Sequence, residues 1–132
     1  MGVYTDIEAA LNTKLNTLAG HPPIAWPNMR FEPANNETYL RPTLLPGQTE
    51  LNTIAGQQLH KGIYQVDVCV PLKTGIAALT SWLDALDSLF TRGTTLTANS
   101  TSVLVQQTGM GRTERQDSWY VGYIEIYYLC YS

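Results

Sequence analysis

Charge is scarce in this chain. Only 14% of its 132 residues are Asp, Glu, Lys or Arg, against roughly a quarter in an average domain. The formal net charge is −3. A general nucleic-acid binder needs a surplus of Lys and Arg to release phosphate counterions, and that surplus is missing. Residues 93–111, GTTLTANSTSVLVQQTGMG, hold no charge at all, and such a surface fits contact with other protein. Cysteine is limited to Cys69 and Cys130. Both fall in apolar, strand-like runs, where a free thiol behaves as a small hydrophobe, so buried thiols are expected. No run approaches the roughly 18 apolar residues of a membrane helix. Met1–Leu15 lacks the cationic start and apolar stretch of a secretory leader, so a cytoplasmic, reduced protein is expected.

Signatures of catalysis are also wanting. There is no phosphate loop, no Gly-x-Ser-x-Gly and no HExxH pattern. The glycines of TGMGRTE follow a strand without opening an apolar helix, so they are no nucleotide fingerprint. His21 and His60 lie in polar stretches without a ligand set around them, and each reads as a surface histidine. Asp67 and Glu125 are the acids inside strand patterns; they form a carboxylate pair only if their strands are neighbours, and otherwise belong to a wetted or subunit-facing surface. Neither an enzyme, nor a cofactor, nor a metal site is expected.

What is present is pattern. TDIE has the form of a capping box, Thr5 with Glu8, followed by Ile7, Leu11, Leu15 and Leu18 at helical spacing. Gly20 and Pro22-Pro23 close that helix, predicted over 5–18. IAWPNMRFEP is a short extended segment anchored by Trp26 and Phe31. TYLRPTLLPG reads as a strand with Leu40 and Leu44 on one face and Tyr39, Arg41, Thr43 and Leu45 on the other. Pro42 lacks an amide hydrogen and makes it an edge strand or a bulged one. Residues 47–62 read as a long polar connection: a flexible hairpin loop, or an arm that orders against a neighbouring subunit. GIYQVDVCVP alternates Tyr64, Val66, Val68 and Val70 with Ile63, Gln65, Asp67 and Cys69, and Pro71 ends it. A second helix is predicted over 74–91, with Leu79, Trp82, Leu83, Leu86, Leu89 and Phe90 inward, Asp84 and Asp87 outward, and Gly93 closing it. TSVLVQQ is a strand and residues 108–118 a Gly-rich, charged loop. The whole predicts one α+β domain over 1–132, a mostly antiparallel sheet with two helices packed on one face.

The final strand, WYVGYIEIYYLCYS, is apolar on both sides. One side holds Tyr120, Gly122, Ile124, Ile126, Tyr128 and Cys130; the other holds Trp119, Val121, Tyr123, Glu125, Tyr127, Leu129 and Tyr131. Helices on one face leave the second needing a cover. Either a sister molecule supplies it, or the curl of the sheet and segment 47–62 do. Bare, its aromatics would make a patch large for a monomer, so oligomerisation is inferred. Tyr123, Glu125, Tyr127 and Tyr131 are the candidate subunit-interface residues.

The order IEAALNTKLNTLAG, IAWPNMRFEP, YLRPTLLPGQTE, GIYQVDVCVPL, LDALDSLFTRGTTL and a closing aromatic strand resembles the tail-terminator-like proteins of long non-contractile-tailed bacteriophages, over almost the whole chain. The resemblance implies an α+β fold and a homo-hexameric ring in the virion tail, assembled in the host cytoplasm. Such a ring caps the tail tube, stops its polymerisation and joins it to the head or neck. Its partners would be the tail tube protein and a head/neck connector protein, with DNA passing through the hole without sequence-specific binding. No membrane is implied. Arg112 and Arg115 would then line the channel or face the neck. Pro42 departs from the β-branched residue expected in that strand of the family. A head-completion or neck protein is the nearest alternative, and a small-molecule-binding or enzymatic α+β dimer a more distant one.

Overall fold

The computed structural model describes residues 3–18, 20, 22–26, 38–51, 58–71, 76–98, 101–111, 114–116 and 119–131. Helix α1 spans Val3–Asn16 and strand β1 Tyr39–Leu51. Strand β2 follows at Gln58–Pro71 and helix α2 at Ile76–Leu89. Strands β3 Thr95–Ala98, β4 Thr101–Met110, β5 Glu114–Gln116 and β6 Trp119–Tyr131 complete the fold. The sheet runs β1-β2-β6-β4-β3, with β5 also paired to β6, and every strand pair is antiparallel. This is the expected α+β architecture. β2 holds β6 along its whole length, from Leu59↔Tyr131 to Pro71↔Trp119. β5 therefore pairs with the opposite edge of β6, where it continues the line of β4.

Both helices cover one face of the sheet. Ile7, Leu11 and Leu15 of α1 and Leu79, Leu83 and Leu86 of α2 are buried against Tyr64, Val66, Val68, Ile124, Ile126, Val103 and Val105. Burying a side chain of this size is worth roughly 1.5–3 kcal/mol, so these two stripes carry much of the stability. The Tyr64 phenol donates to Asn12 Oδ1 at 2.6 Å and its ring tilts against Phe90, which ties β2 to α1 and to the residue that follows α2. Gly122 lets α2 approach β6: a Cβ there would meet the Leu79 and Leu83 methyls at 3.2–3.3 Å. Gly20 and Gly93 take φ of +65° and +91°, but each lies four residues beyond its helix, which ends at Asn16 and at Leu89, so they turn the following chain and do not cap the helices.

β1 is an edge strand, which accommodates Pro42. The Leu40 amide donates to Pro23 O at 2.9 Å, and Leu40 O accepts from Ala25 N at 2.7 Å. The backbone groups of Leu40 thus point away from β2, and at period two so do those of Pro42. Its missing N–H costs the β1–β2 ladder no bond.

Several expectations need correction. α1 begins at Val3, so Thr5 lies inside the first turn and does not cap it. Most of 47–62 is strand: β1 runs on to Leu51 and β2 starts at Gln58, with Leu51↔Gln58 paired. Main-chain pairing is indifferent to the polarity that marked this stretch as loop; residues 52–57 lie outside the described residues. In 108–118, β4 extends to Met110 and Glu114–Gln116 forms β5. His60 is not a surface residue. It is 4% exposed, opposite Cys130, with Tyr4 of α1 edge-on to its ring at 5.6 Å. His21 and Phe31 fall outside the described residues.

Candidate interaction surface

The face of the sheet away from the helices is ordered in rows by the strand register. Tyr39, Cys69 and Val121 form one row, Arg41, Asp67 and Tyr123 the next, then Thr43, Gln65 and Glu125, then Leu45, Ile63 and Tyr127. A polar band thus crosses the middle of the face, with apolar rows at either end.

The band is held by an ion pair. Arg41 Nε and Nη2 each lie 2.9 Å from Asp67 Oδ2, and Gln65 Nε2 donates to Oδ1 at 2.8 Å. Burial works against the charge of Arg41, but the hydrogen bond and attraction to Asp67 prevail and raise its pKa above the ordinary value. Asp67 is 7% exposed. Its partner is thus Arg41, and Glu125 stands opposite Gln65 instead; the two acids do not form a pair. In the row beside it, burial and a hydrogen bond from its phenol to the Cys69 thiol push Tyr39 up to about 12. The Cys69 thiol is itself raised, chiefly by burial. The Tyr39 ring meets Trp119 edge-on at 5.1 Å. Both cysteines are free and buried, as expected.

The candidate interface residues Tyr123, Glu125 and Tyr127 share this face, and each is half-buried. This corrects the picture of a bare aromatic patch. The Tyr123 ring fills the space where a Gly111 side chain would stand, and Tyr127 lies 3.9 Å from a Cβ built on Gly109. Gly109 of β4 and Gly111 just beyond it thus give the tyrosines of β6 a seat. Their alternation in TGMG, opposite an aromatic strand, is the signal that would have revealed it. Tyr131 pairs with Leu59 through its backbone; its side chain lies outside the described residues, as do Arg112 and the side chain of Arg115. Tyr120 shares the side of Ile124 and Ile126, the helix-covered one, yet it is 40% exposed.

The sheet is irregular along one row. Pro46, Gly62, Tyr128 and Val105 align across four strands, and register shifts follow at once in β1, between Pro46 and Thr49, and in β4, between Val105 and Gln107. A cavity of about 400 Å³ opens here, lined by Leu45, Ile63, Tyr127, Lys61 and Gln106 among others. Tyr128 crosses Gly62, and its buried hydroxyl has no hydrogen-bond partner among the described residues. Burial raises its pKa to about 12. The described residues contain no group of three or more His, Cys, Asp or Glu placed to hold a metal. They also contain no helix long and apolar enough to cross a membrane.

A curled sheet sealed by helices on one side and half-open on the other, with a polar band between apolar rows, defines a small α+β domain with one candidate contact face. The chain belongs to the phage tail terminator protein family, whose model matches residues 6–128. It is also similar to a solved structure that carries no descriptive name, with a TM-score of 0.73 and 27% identity, covering 94% of this chain and 92% of that one. No curated protein matches it. Family membership gives the chain a structural role in the phage tail, in association with other tail proteins.

Proposed function

We propose that copies of this chain close into a homo-hexameric ring that caps the tail tube, stops its polymerisation and joins the tail to the head or neck. A ring needs a heterologous contact, in which one patch of each subunit meets a different patch of the next. The observation that carries this reading is the half-exposed face of Tyr123, Glu125 and Tyr127, beside the exposed Leu45. Aromatic residues at the centre and polar groups between them are the composition of a protein interface. In this reading Tyr131 extends the contact, and Arg112 and Arg115 face the channel or the neck. DNA passes through without base-specific contact. The protein acts in the virion tail after assembly in the host cytoplasm, without catalysis.

Tube assembly tests the reading. Tubes grown without the protein should overrun their normal length, and adding it should restore termination, with native mass spectrometry showing a sixfold species. Tubes of normal length in its absence would defeat the terminator role and favour a head-completion or neck position.

A further inference from the structure

The two edges of the sheet are unlike. On β1, the outward backbone positions are Leu40, Pro42, Leu44 and Pro46. Leu40 is already bonded to the segment at Pro23 and Ala25, and the two prolines have no N–H to offer. Prolines at such positions are the ordinary device for blunting a sheet edge.

The other edge lacks this protection. β3 pairs with Thr101–Leu104 of β4, and Val105 is still engaged, its N–H donating to Thr94 O and its carbonyl accepting from Gly93 N. Past that point β3 no longer follows. The Gly111 N–H donates to Tyr123 O at 2.7 Å, so Gly111 faces β6. Counting back by two, Gly109 and Gln107 face β6, while Thr108 and Met110 turn their backbone groups outward. Among the described residues, no backbone partner meets them. This stretch, QQTGM, holds no charge and no proline, and Met110 is 48% exposed.

We infer that the edge of β4 at Thr108 and Met110 is a strand-addition site, and that its occupant is the β1 edge of a second copy of this chain. The inference rests on the ring reading and gives it a docking mode. Within one sheet β1 and β4 run antiparallel, because three antiparallel pairings separate them. A copy that extends the sheet past β4 with its helices on the same side presents either its own β4, through a two-fold that stops at a dimer, or its β1; the head-to-tail contact of a ring selects β1, and the pairing is antiparallel, the stronger kind. The prolines do not prevent this. The Pro42, Leu44 and Pro46 carbonyls remain acceptors for the Thr108 and Met110 amides, and Leu44 supplies a donor in return. The same prolines disfavour β1 against β1, and β1 against β4 is the heterologous contact that a closing ring requires.

Amide hydrogen exchange on the full chain, free and assembled, tests this. The Thr108, Met110 and Leu44 amides should exchange freely in the monomer and slow by roughly tenfold or more each in the ring, the size expected of a gained backbone bond. Met110→Pro removes one outward donor without touching the β4–β6 ladder, and should abolish the ring while the monomer stays folded. If a sixfold species forms with these amides still exchanging as in the monomer, the edge pairing is wrong and the ring stands. Protection of Thr108 and Met110 only after tail tube is added, with Leu44 unchanged, makes the tube protein the occupant and overturns the self-pairing. The absence of any multimer, alone or on tubes, overturns both.

Discussion

Arg41 and Asp67 meet across β1 and β2 with two guanidinium nitrogens, each 2.9 Å from the same carboxylate oxygen. The pair is lopsided: the Arg41 side chain is 41% exposed and that of Asp67 11%. Arg41→Ala leaves a nearly buried carboxylate with only the Gln65 amide, and should cost about 1–2 kcal/mol, reduced by the exposure of the arginine. Asp67→Asn keeps the shape and frees an arginine that can turn to water, so its cost should be under ~1 kcal/mol. Urea unfolding of both variants at neutral pH checks the order; equal losses would contradict the asymmetry.

Gly62→Ala should destabilise by about 1–3 kcal/mol, the range for overpacking. Its new carbon would collide with the Tyr128 hydroxyl and stand 2.8 Å from the Leu45 carbonyl oxygen, which is backbone and cannot swing aside. Adding Tyr128→Phe should recover part of the loss and no more, because the carbonyl remains. Tyr128→Phe alone removes an unpartnered hydroxyl and should be neutral or slightly stabilising. A loss above ~1 kcal/mol would reveal a partner for that oxygen.

Alkaline pH should weaken the fold from about pH 10. Burial raises Tyr39 and Tyr128 from 10.0 to about 12 in the folded chain. Below pH 10 both are neutral in both states and their contribution is complete. As pH climbs toward 12 the unfolded chain ionises first and gains stability over the folded one. Stability measured against pH should therefore fall between 10 and 12, and the fall should be shallower in Tyr128→Phe. An unchanged slope in that variant would remove Tyr128 from the account.

Tyr127→Asp should impair assembly more than folding. The side chain is half-buried on the outer face, so the folded monomer should lose no more than ~1 kcal/mol, while tube capping fails. Loss of the monomer itself, seen as collapse of near-ultraviolet dichroism, would place Tyr127 in the core.

Where side-chain periodicity decided the structure, the sequence was readable. The stripe of Ile7, Leu11 and Leu15, the alternation of Tyr64, Val66, Val68 and Val70, and the edge position of Pro42 all appear as expected. Backbone pairing was not readable, because it leaves no hydropathy signal: Thr49–Leu51 and Gln58–Gly62 form strands despite their polarity. His60 escaped for a related reason. Only the register that sets it opposite Cys130, under Tyr4, makes it interior. The candidate face was half legible. Alternation assigned Tyr123, Glu125 and Tyr127 to one side, yet the glycine seats and the Arg41–Asp67 bond depend on which strands are neighbours, and one chain's letters do not state that.

The placement of β6 also bears on biogenesis. This strand lies in the middle of the sheet, yet every other strand among the described residues precedes it in the chain. During translation β2 and β4 have no shared neighbour until residues 119–131 emerge from the ribosome. From the completion of β2 onward the nascent chain must carry an unzipped edge and an unfinished core, joined after Met110 by a second open edge on β4, a long-range topology of the slow-folding kind. Nonsense mutations that remove β6 should therefore yield not a weakened protein but an insoluble one.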